Sequence, residues 1–594
     1  MELKNRSELS PEFQWDCSHI FPSYEAWEDA FAKVTAEIPT LAELRGTLGE
    51  SARSLAAGLD RLYAVSEHAD LVALYAFLHH AADGGDTRNQ EMMMRVQLVG
   101  VELGKAVAFV DPELLEIPEE KLNEFLKNDC LTTYRHYIDD VTRQRAHTLD
   151  AKSEELLAAV SKIAGTPRQT YDAFTNVDLV FPTIKGEDGE DVGLTSGNFG
   201  VFRESADRRV REDAFNAMFG TYGKYINTFA SLYSGSVKQD NMLAELRGYE
   251  SACHAALGAN NVPTAVYDAL VDAVHDAIPT MTKYLNLRKE AMGLDKIDVF
   301  DLYTPMVAEV DYPMPYADAC ELVKAAVAPL GEKYVSLIER AYKEKWIDVY
   351  ENKGKTSGAF SCGVYGVHPY VLLNYTDALD DAFTLAHELG HAMHSYLSSE
   401  KQDYANHDYR ILVAEVASTC NEVLLTKYLL SIEKDKKRRA YILNHFLEGF
   451  RTTVFRQTLF AEFERKAHDM EAAGTPLTAD ALNELYASLV KQYYAGAEMQ
   501  DVVAYEWAYI PHFYRNFYVY QYATGFSSAV AIASHILETG DASGYLEFLS
   551  TGGCDYPINE LKLAGIDLTS PEVVRNAMKM FDETITELRE CLAL

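Results

Sequence analysis

Apolar side chains recur at helical spacing through most of the chain. Leu55, Leu59, Leu62, Tyr63 and Val65 form one such run, and Leu71, Leu74, Phe77 and Leu78 form the next. The first half therefore predicts helix bundles. The pattern breaks between residues 178 and 200 (DLVFPTIKGEDGEDVGLTSGNFG), where short β-like runs alternate with Gly and acidic turns, as at a domain boundary or an exposed hairpin. On that reading residues 1–190 form an N-terminal helical region and residues 191–594 a second region. A second β-like patch runs from Gly358 to Tyr375, and helical patterns return from Asp380 to the end. There is no internal repeat and no long linker. The basic run Lys436 to Arg439 follows Glu433 and Asp435, and reads as solvated surface in a connection between helices.

Composition narrows the class. Of 594 residues 48% are apolar, 24% charged and 11% aromatic, with 18 Pro and 34 Gly, which excludes a disordered or collagen-like chain. Lys and Arg number 54 against 90 Asp and Glu, a net charge of −36. A surface that acidic repels phosphate backbones and anionic lipid headgroups, so neither nucleic acid nor a membrane is expected as a partner. The eight cysteines include no CxxC pair, which suits reduced thiols packed as small core residues better than a disulfide framework. The start, MELKNRSELS, has no apolar core of a signal peptide, and no apolar run approaches the ~18 residues that span a bilayer. The expectation is a soluble cytoplasmic protein.

One motif stands out: His387-Glu388-Leu389-Gly390-His391, an HExxH sequence, of which chance predicts about 0.04 in a chain like this. Asp380 and Asp381 supply a cap and negative charge at the start of its helix, while Phe383, Leu385, Ala386, Leu389, Met393, Tyr396 and Leu397 supply apolar faces. The motif therefore lies on a buried helix. Four residues are one turn, so His387 and His391 point to the same side and both imidazoles can meet one tetrahedral Zn²⁺. Glu388, rotated by about 100°, sits beside the metal without being a ligand, placed to take a proton from zinc-bound water. The competing reading is a pair of buried histidines satisfied by backbone carbonyls.

A catalytic zinc needs a third protein ligand if water is to keep the fourth position. Residues 411–425 (ILVAEVASTCNEVLL) are strongly apolar and carry only two charges, Glu415 and Glu422. Carboxylates in such a stretch are costly unless paired or metal-bound. Glu415 follows His391 by 24 positions, enough for one helix to end, a polar loop (Glu400 to Arg410) to turn and a second helix to run back. Glu415 is the preferred third ligand, and Glu422, on nearly the same stripe, can hold the free N–H of a ligand histidine. His394 also falls on the ligand face, but three ligands within two turns of one helix do not easily surround a tetrahedral ion, so His394 is read as a packed or supporting histidine. Gly354-Lys355-Thr356 mimics the end of a phosphate loop, but the required earlier glycine is Val349. Gly358, Ala359 and Phe360 instead read as an edge strand beside the motif helix, against which an extended peptide can pair by its main chain.

These residues resemble the oligoendopeptidase F family, bacterial members of the thimet oligopeptidase group of zinc metallopeptidases. The likeness spans nearly the whole chain: WDCSHIFPSYEAW from Trp15, NVDLVFP from Asn176, DRRVREDAF from Asp207, Arg247-Gly248-Tyr249, TLAHELGH from Thr384, EVASTCNE from Glu415 and IPHFYRNFYVYQYATG from Ile510. The resemblance implies a mainly α-helical, two-lobed metallopeptidase with a small β-sheet next to the HExxH helix and a deep channel that admits short, flexible peptides. Residues 191–594 are then the catalytic region. It implies one Zn²⁺ per chain on His387, His391 and Glu415, with Glu388 as general base and Glu422 behind the ligands. It also implies a histidine and one or two tyrosines that stabilise the transition state, which points to His512 and the tyrosines after it. Tyr514, Tyr518 and Tyr522 share a face if that segment is a helix, and Tyr518, Tyr520 and Tyr522 if it is a strand. His512, Tyr518 and Tyr522 are favoured.

The implied activity is hydrolysis of internal bonds in short unstructured oligopeptides by a monomer or homodimer, through Glu388-assisted attack of zinc-bound water. Two rivals stay open: a zinc aminopeptidase or carboxypeptidase, and a non-catalytic zinc protein that only binds peptides. Intact Glu388 argues against the second, and absence of a GxMEN motif argues against one large aminopeptidase group.

Overall fold

A computed structural model describes residues 3–307, 310 and 312–594; Met1 and Glu2 of the polar start lie outside the described residues. The chain divides into two compact units. One comprises Met1–Ala146, Tyr312–Tyr428 and Ile532–Ile566; the other comprises His147–Asp311, Leu429–Ala531 and Asp567–Leu594. Both are built mainly of helices, and among the described residues the only sheets are one of two strands and one of three.

In the first unit the two apolar runs of the N-terminal half fall in one 31-residue helix, Ala52–Ala82, whose start is capped by the Ser51 side chain accepting the Ser54 N–H. A helix of that length buries different faces along its course. Leu55 and Leu59 pack with Leu114, Leu131 and Ile138; Val65, Val72 and Tyr75 pack with Trp27 and Met92. Leu74 and Leu78, near its end, pack on Tyr370 and Leu372. The helix thereby supports the sheet nearest the HExxH motif.

That sheet has the order β3-β5-β4, with β3 at Ile347–Asp348, β4 at Phe360–Cys362 and β5 at Tyr370–Leu372. β3 runs parallel to β5, and β4 runs antiparallel to it with Ser361 opposite Val371. Residues 13–16 run alongside: the Phe13 carbonyl accepts from Val349 N–H at 2.9 Å, and the Tyr370 hydroxyl donates to the Asp16 carbonyl at 3.0 Å. Lys355, whose side chain is buried, donates to the Asp348 and Tyr350 carbonyls and pairs with the Asp348 carboxylate, so the phosphate-loop mimic serves this packing.

In the second unit the break at 178–200 holds an antiparallel hairpin, β1 (Thr183–Lys185) against β2 (Asp191–Gly193), turning through Gly189 at a φ of +81°. In the basic run Lys436 and Lys437 are exposed as expected, but the run lies in a helix and not in a connection. Lys436 to Arg439 opens the helix Lys436–Gly449, because Asp435 caps it by accepting the Lys437 and Arg438 N–H groups, and Arg439 pairs with Glu587. Among the described residues no helix is long and apolar enough to cross a membrane.

Candidate metal centre

The HExxH motif lies on the helix Leu379–Lys401. The helix starts one residue before the acidic pair. Asp381, in the first turn, reaches back to accept the N–H groups of Ala378 at 3.0 Å and Thr376 at 2.7 Å, and with Asp380 it sets negative charge at the positive end of the helix. The polar loop then turns the chain into the helix Ile411–Ile432. The two helices touch at Gly390, where a Cβ would stand 2.6 Å from the Ala417 carbonyl oxygen and 2.6 Å from Ser418 Cα. Only glycine permits that approach. Fully buried Asn421 fastens the contact: its Nδ2 donates to the Ala386 carbonyl at 3.0 Å, and its Oδ1 accepts from the Tyr334 hydroxyl at 3.1 Å.

This packing delivers Glu415 to the histidine pair. The His387 and His391 rings lie 4.9 Å apart, and Glu415 Oε2 is 3.5 Å from His387 Nε2 and 3.6 Å from His391 Nε2. One donor atom from each residue lies within 4.8 Å of the others. Donors at 2.0–2.1 Å from a shared tetrahedral ion stand about 3.4 Å apart, so two imidazoles and one carboxylate fit a zinc ion in separation as well as in chemistry. Glu422 Oε1 meets His387 Nδ1 at 2.5 Å, which fixes the ring with Nε2 toward Glu415. Burial alone would lower His387, but the Glu422 contact outweighs it and lifts the imidazole to about 9. Burial and the neighbouring His387 push His391 down, and its ring meets the Ala414 backbone. Ser418 Oγ donates to Glu415 Oε2 at 3.1 Å.

Glu388 is 7% exposed. Burial pushes its carboxyl up to about 7 against the opposing pull of His387, and it meets the Ser361 backbone of β4. His394 lies outside the three-residue group. It is fully buried and stacked on Tyr409 with ring centres 3.6 Å apart, and neither ring nitrogen has a hydrogen-bond partner among the described residues. Of the expected edge-strand residues only Phe360 is in β4. Gly358, at a φ of +82°, and Ala359 lead into it, because Asn374 Nδ2 ties down the Gly358 and Thr356 carbonyls at 2.8 and 2.9 Å. Gly358, Ala359, Asn374, Asp381 and Thr384 line a cleft of about 360 Å³.

In the second unit His512, Tyr518 and Tyr522 form a cluster. His512 is 6.4 Å from Tyr518 and 6.2 Å from Tyr522, and the two tyrosines are 5.3 Å apart, all between ring centres. Neither periodicity applies to the whole stretch, which is a short turn at Pro511–Tyr514, a loop, and a helix from Tyr520. Tyr514 packs on Tyr171 and Tyr520 on Tyr267. The loop turns at Phe517, whose left-handed φ of +50° is held by its N–H donating to buried Glu464 at 2.7 Å. The Arg515 guanidinium lies 3.7 Å over the Tyr518 ring. Burial, Arg168 and Arg515 lower His512. The sequence gives no signal for Asn421 or Glu464, which have charged neighbours, and for Asn374 only that it follows an apolar run.

Comparison with known proteins gives likenesses along nearly the whole chain. The profile of peptidase family M3 matches residues 201–580, and that of oligopeptidase F matches residues 113–181. Oligopeptidase PepF of Bacillus subtilis (strain 168) is 43% identical over 595 residues, covering 100% of this chain and 89% of that protein. An oligoendopeptidase F homolog of Lactococcus lactis subsp. lactis (strain IL1403) is 38% identical over 99% of this chain and 98% of its own. The crystal structure of oligoendopeptidase-F from Enterococcus faecium superimposes with a TM-score of 0.73 at 36% identity, over 96% of this chain and 99% of that one.

Proposed function

The chain belongs to peptidase family M3, and from that premise we propose that it is a zinc-dependent endopeptidase hydrolysing internal bonds of short, unstructured oligopeptides. The observation that carries this reading is the convergence of His387 Nε2, His391 Nε2 and Glu415 Oε2, with Glu388 buried on the same helix. Those three side chains would hold one zinc ion. When bound, zinc supplies Lewis acidity, which acidifies water and polarises a scissile carbonyl.

The proton work falls to Glu388. Its carboxylate takes a proton from the attacking water as the new C–O bond forms, then passes that proton to the amine nitrogen as the C–N bond breaks. A carboxyl held near neutrality by burial suits both halves of that transfer. Glu422 keeps His387 in one orientation. Gly358, Ala359 and Phe360 offer main-chain groups to an extended peptide, a mode that reads backbone and tolerates many side chains. His512, Tyr518 and Tyr522 are the proposed hydrogen-bond donors to the oxyanion, each of a kind worth ~2.7–4 kcal/mol. All eight cysteines are free thiols, which supports a reducing compartment, the cytoplasm.

The test is mass-spectrometric mapping of cuts in a length ladder of unstructured peptides, using zinc-loaded wild type and Glu388→Gln with metal content measured for both. Internal cuts confined to short peptides are expected, slowed by about 10²–10⁴ in the variant at unchanged zinc content. Removal of terminal residues only would replace this reading with an exopeptidase, and an inert zinc-loaded wild type would withdraw the catalytic assignment.

A further inference from the structure

Away from every residue assigned above, the second unit gathers positive charge around one aromatic ring. The guanidinium carbons of Arg203, Arg451 and Arg456 lie 3.8, 4.4 and 5.8 Å from the centre of the Tyr303 ring. Tyr494 is within electrostatic reach of Arg451, Arg456 and Tyr303. Two carboxylates answer this charge. Glu448 accepts from Arg451 Nε and Nη2 at 2.9 and 2.6 Å and from Arg288 Nη1 at 2.7 Å; Glu506 accepts from Arg456 Nη2 at 2.6 Å and from the Tyr486 hydroxyl at 2.8 Å. No carboxylate pairs with Arg203 among the described residues. Among the described residues four guanidiniums thus face two carboxylates, an excess of two positive charges in a chain whose net charge is −36.

The same cluster holds donors with nothing to donate to. Arg451, 1% exposed, has Nη1 without a partner; the Tyr494 hydroxyl, on a residue 3% exposed, has none; and Arg203 Nε has none. Buried donors without partners are expensive, and one anion would serve them while lessening the excess charge. The burial of Arg451 and Tyr494 limits that anion to a small one. A peptide carboxylate brings its chain with it, and sulfate or phosphate brings more bulk than that burial admits.

We propose that Arg203, Arg451, Arg456 and Tyr494, gathered round Tyr303, bind one small monovalent anion of the halide class, chloride in ordinary salt. The site adjoins the aromatic core of its unit, since Arg456 also lies over Phe460, which packs on Phe513. Occupancy therefore stabilises the folded unit by mass action.

The direct test is diffraction from crystals of the full-length protein grown in sodium bromide, with data collected at the bromine absorption edge. An anomalous peak within hydrogen-bond reach of Arg451 Nη1 and the Tyr494 hydroxyl is the expected result. Water there, or bromide at surface positions only, overturns the proposal. In solution, thermal unfolding is followed against chloride with gluconate holding ionic strength constant. Stability should climb and saturate in wild type, and Tyr494→Phe and Arg203→Met should each need roughly tenfold more chloride for the same rise. These two positions neutralise no glutamate, unlike Arg451 and Arg456. An undiminished chloride response in both variants would also overturn the site, and the bromide experiment decides the matter without any variant should either fail to fold.

Discussion

Glu422 and Glu560 are both glutamates in largely buried surroundings, yet their partners give them opposite consequences. The Glu422 carboxylate meets His387 Nδ1 at 2.5 Å. Replacing it by Gln keeps the shape and removes the charge that orients the imidazole of the proposed ligand. Zinc affinity, measured by competition with a chromogenic chelator, should fall about 10- to 100-fold while the helical circular dichroism signal stays unchanged. Glu560 is 1% exposed, neither carboxyl oxygen has a close hydrogen-bond partner among the described residues, and burial pushes it from 4.5 up to about 8 against the weaker pull of the Asp555 backbone. Between those two values the folded state keeps a proton that the unfolded state has released, so folding stability falls as pH rises, by up to about 1.4 kcal/mol per pH unit. Below 4.5 nothing is lost, and above 8 the loss is complete. Glu560→Gln should therefore be more stable than wild type at pH 9 and nearly equal at pH 4.5, as read from denaturant midpoints at each pH. An equal advantage at both would mean that titration of Glu560 contributes nothing.

At the scale of elements, the proposed metal centre depends on how closely two helices approach. Gly390→Ala places a Cβ 2.6 Å from the Ala417 carbonyl oxygen, and backbone is the part that yields least. The variant should lose about 1–3 kcal/mol of stability and bind zinc more weakly, because the helix carrying Glu415 is pushed off the histidines. Gly100→Ala, in the helix Thr87–Val107 with nothing within 4 Å, is the control and should gain about 0.5–1 kcal/mol. The sequence shows the glycine but not what it faces. His387 and His391 were legible because a one-turn spacing is local, and Glu415 because a carboxylate in an apolar helix needs a reason. Asn421 was not, since its partners Ala386 and Tyr334 lie 35 and 87 positions away. Periodicity failed for residues 510–525, where a turn, a left-handed residue and a helix follow one another and only Tyr518 and Tyr522 stay beside His512. It also split Ala52–Ala82 into two runs, because that helix changes its buried face midway.

Over the whole molecule the dominant electrostatic fact is the net charge of −36. Local contacts at Gly358, Ala359 and Phe360 read peptide backbone in the proposed binding mode, so they discriminate little between side chains. The long-range field does discriminate, because it acts before contact and changes association rates by 10–10³. Lys-rich peptides should therefore show a higher kcat/KM than Glu-rich peptides of the same length and cleavage sequence, by about tenfold or more at 0.01 M salt. Raising salt toward 1 M contracts the screening length from about 30 Å to about 3 Å, and the gap should close, with the change in kcat/KM and little in kcat. A gap that persists undiminished at high salt would place the preference in short-range contacts at the site instead of in the charge of the chain.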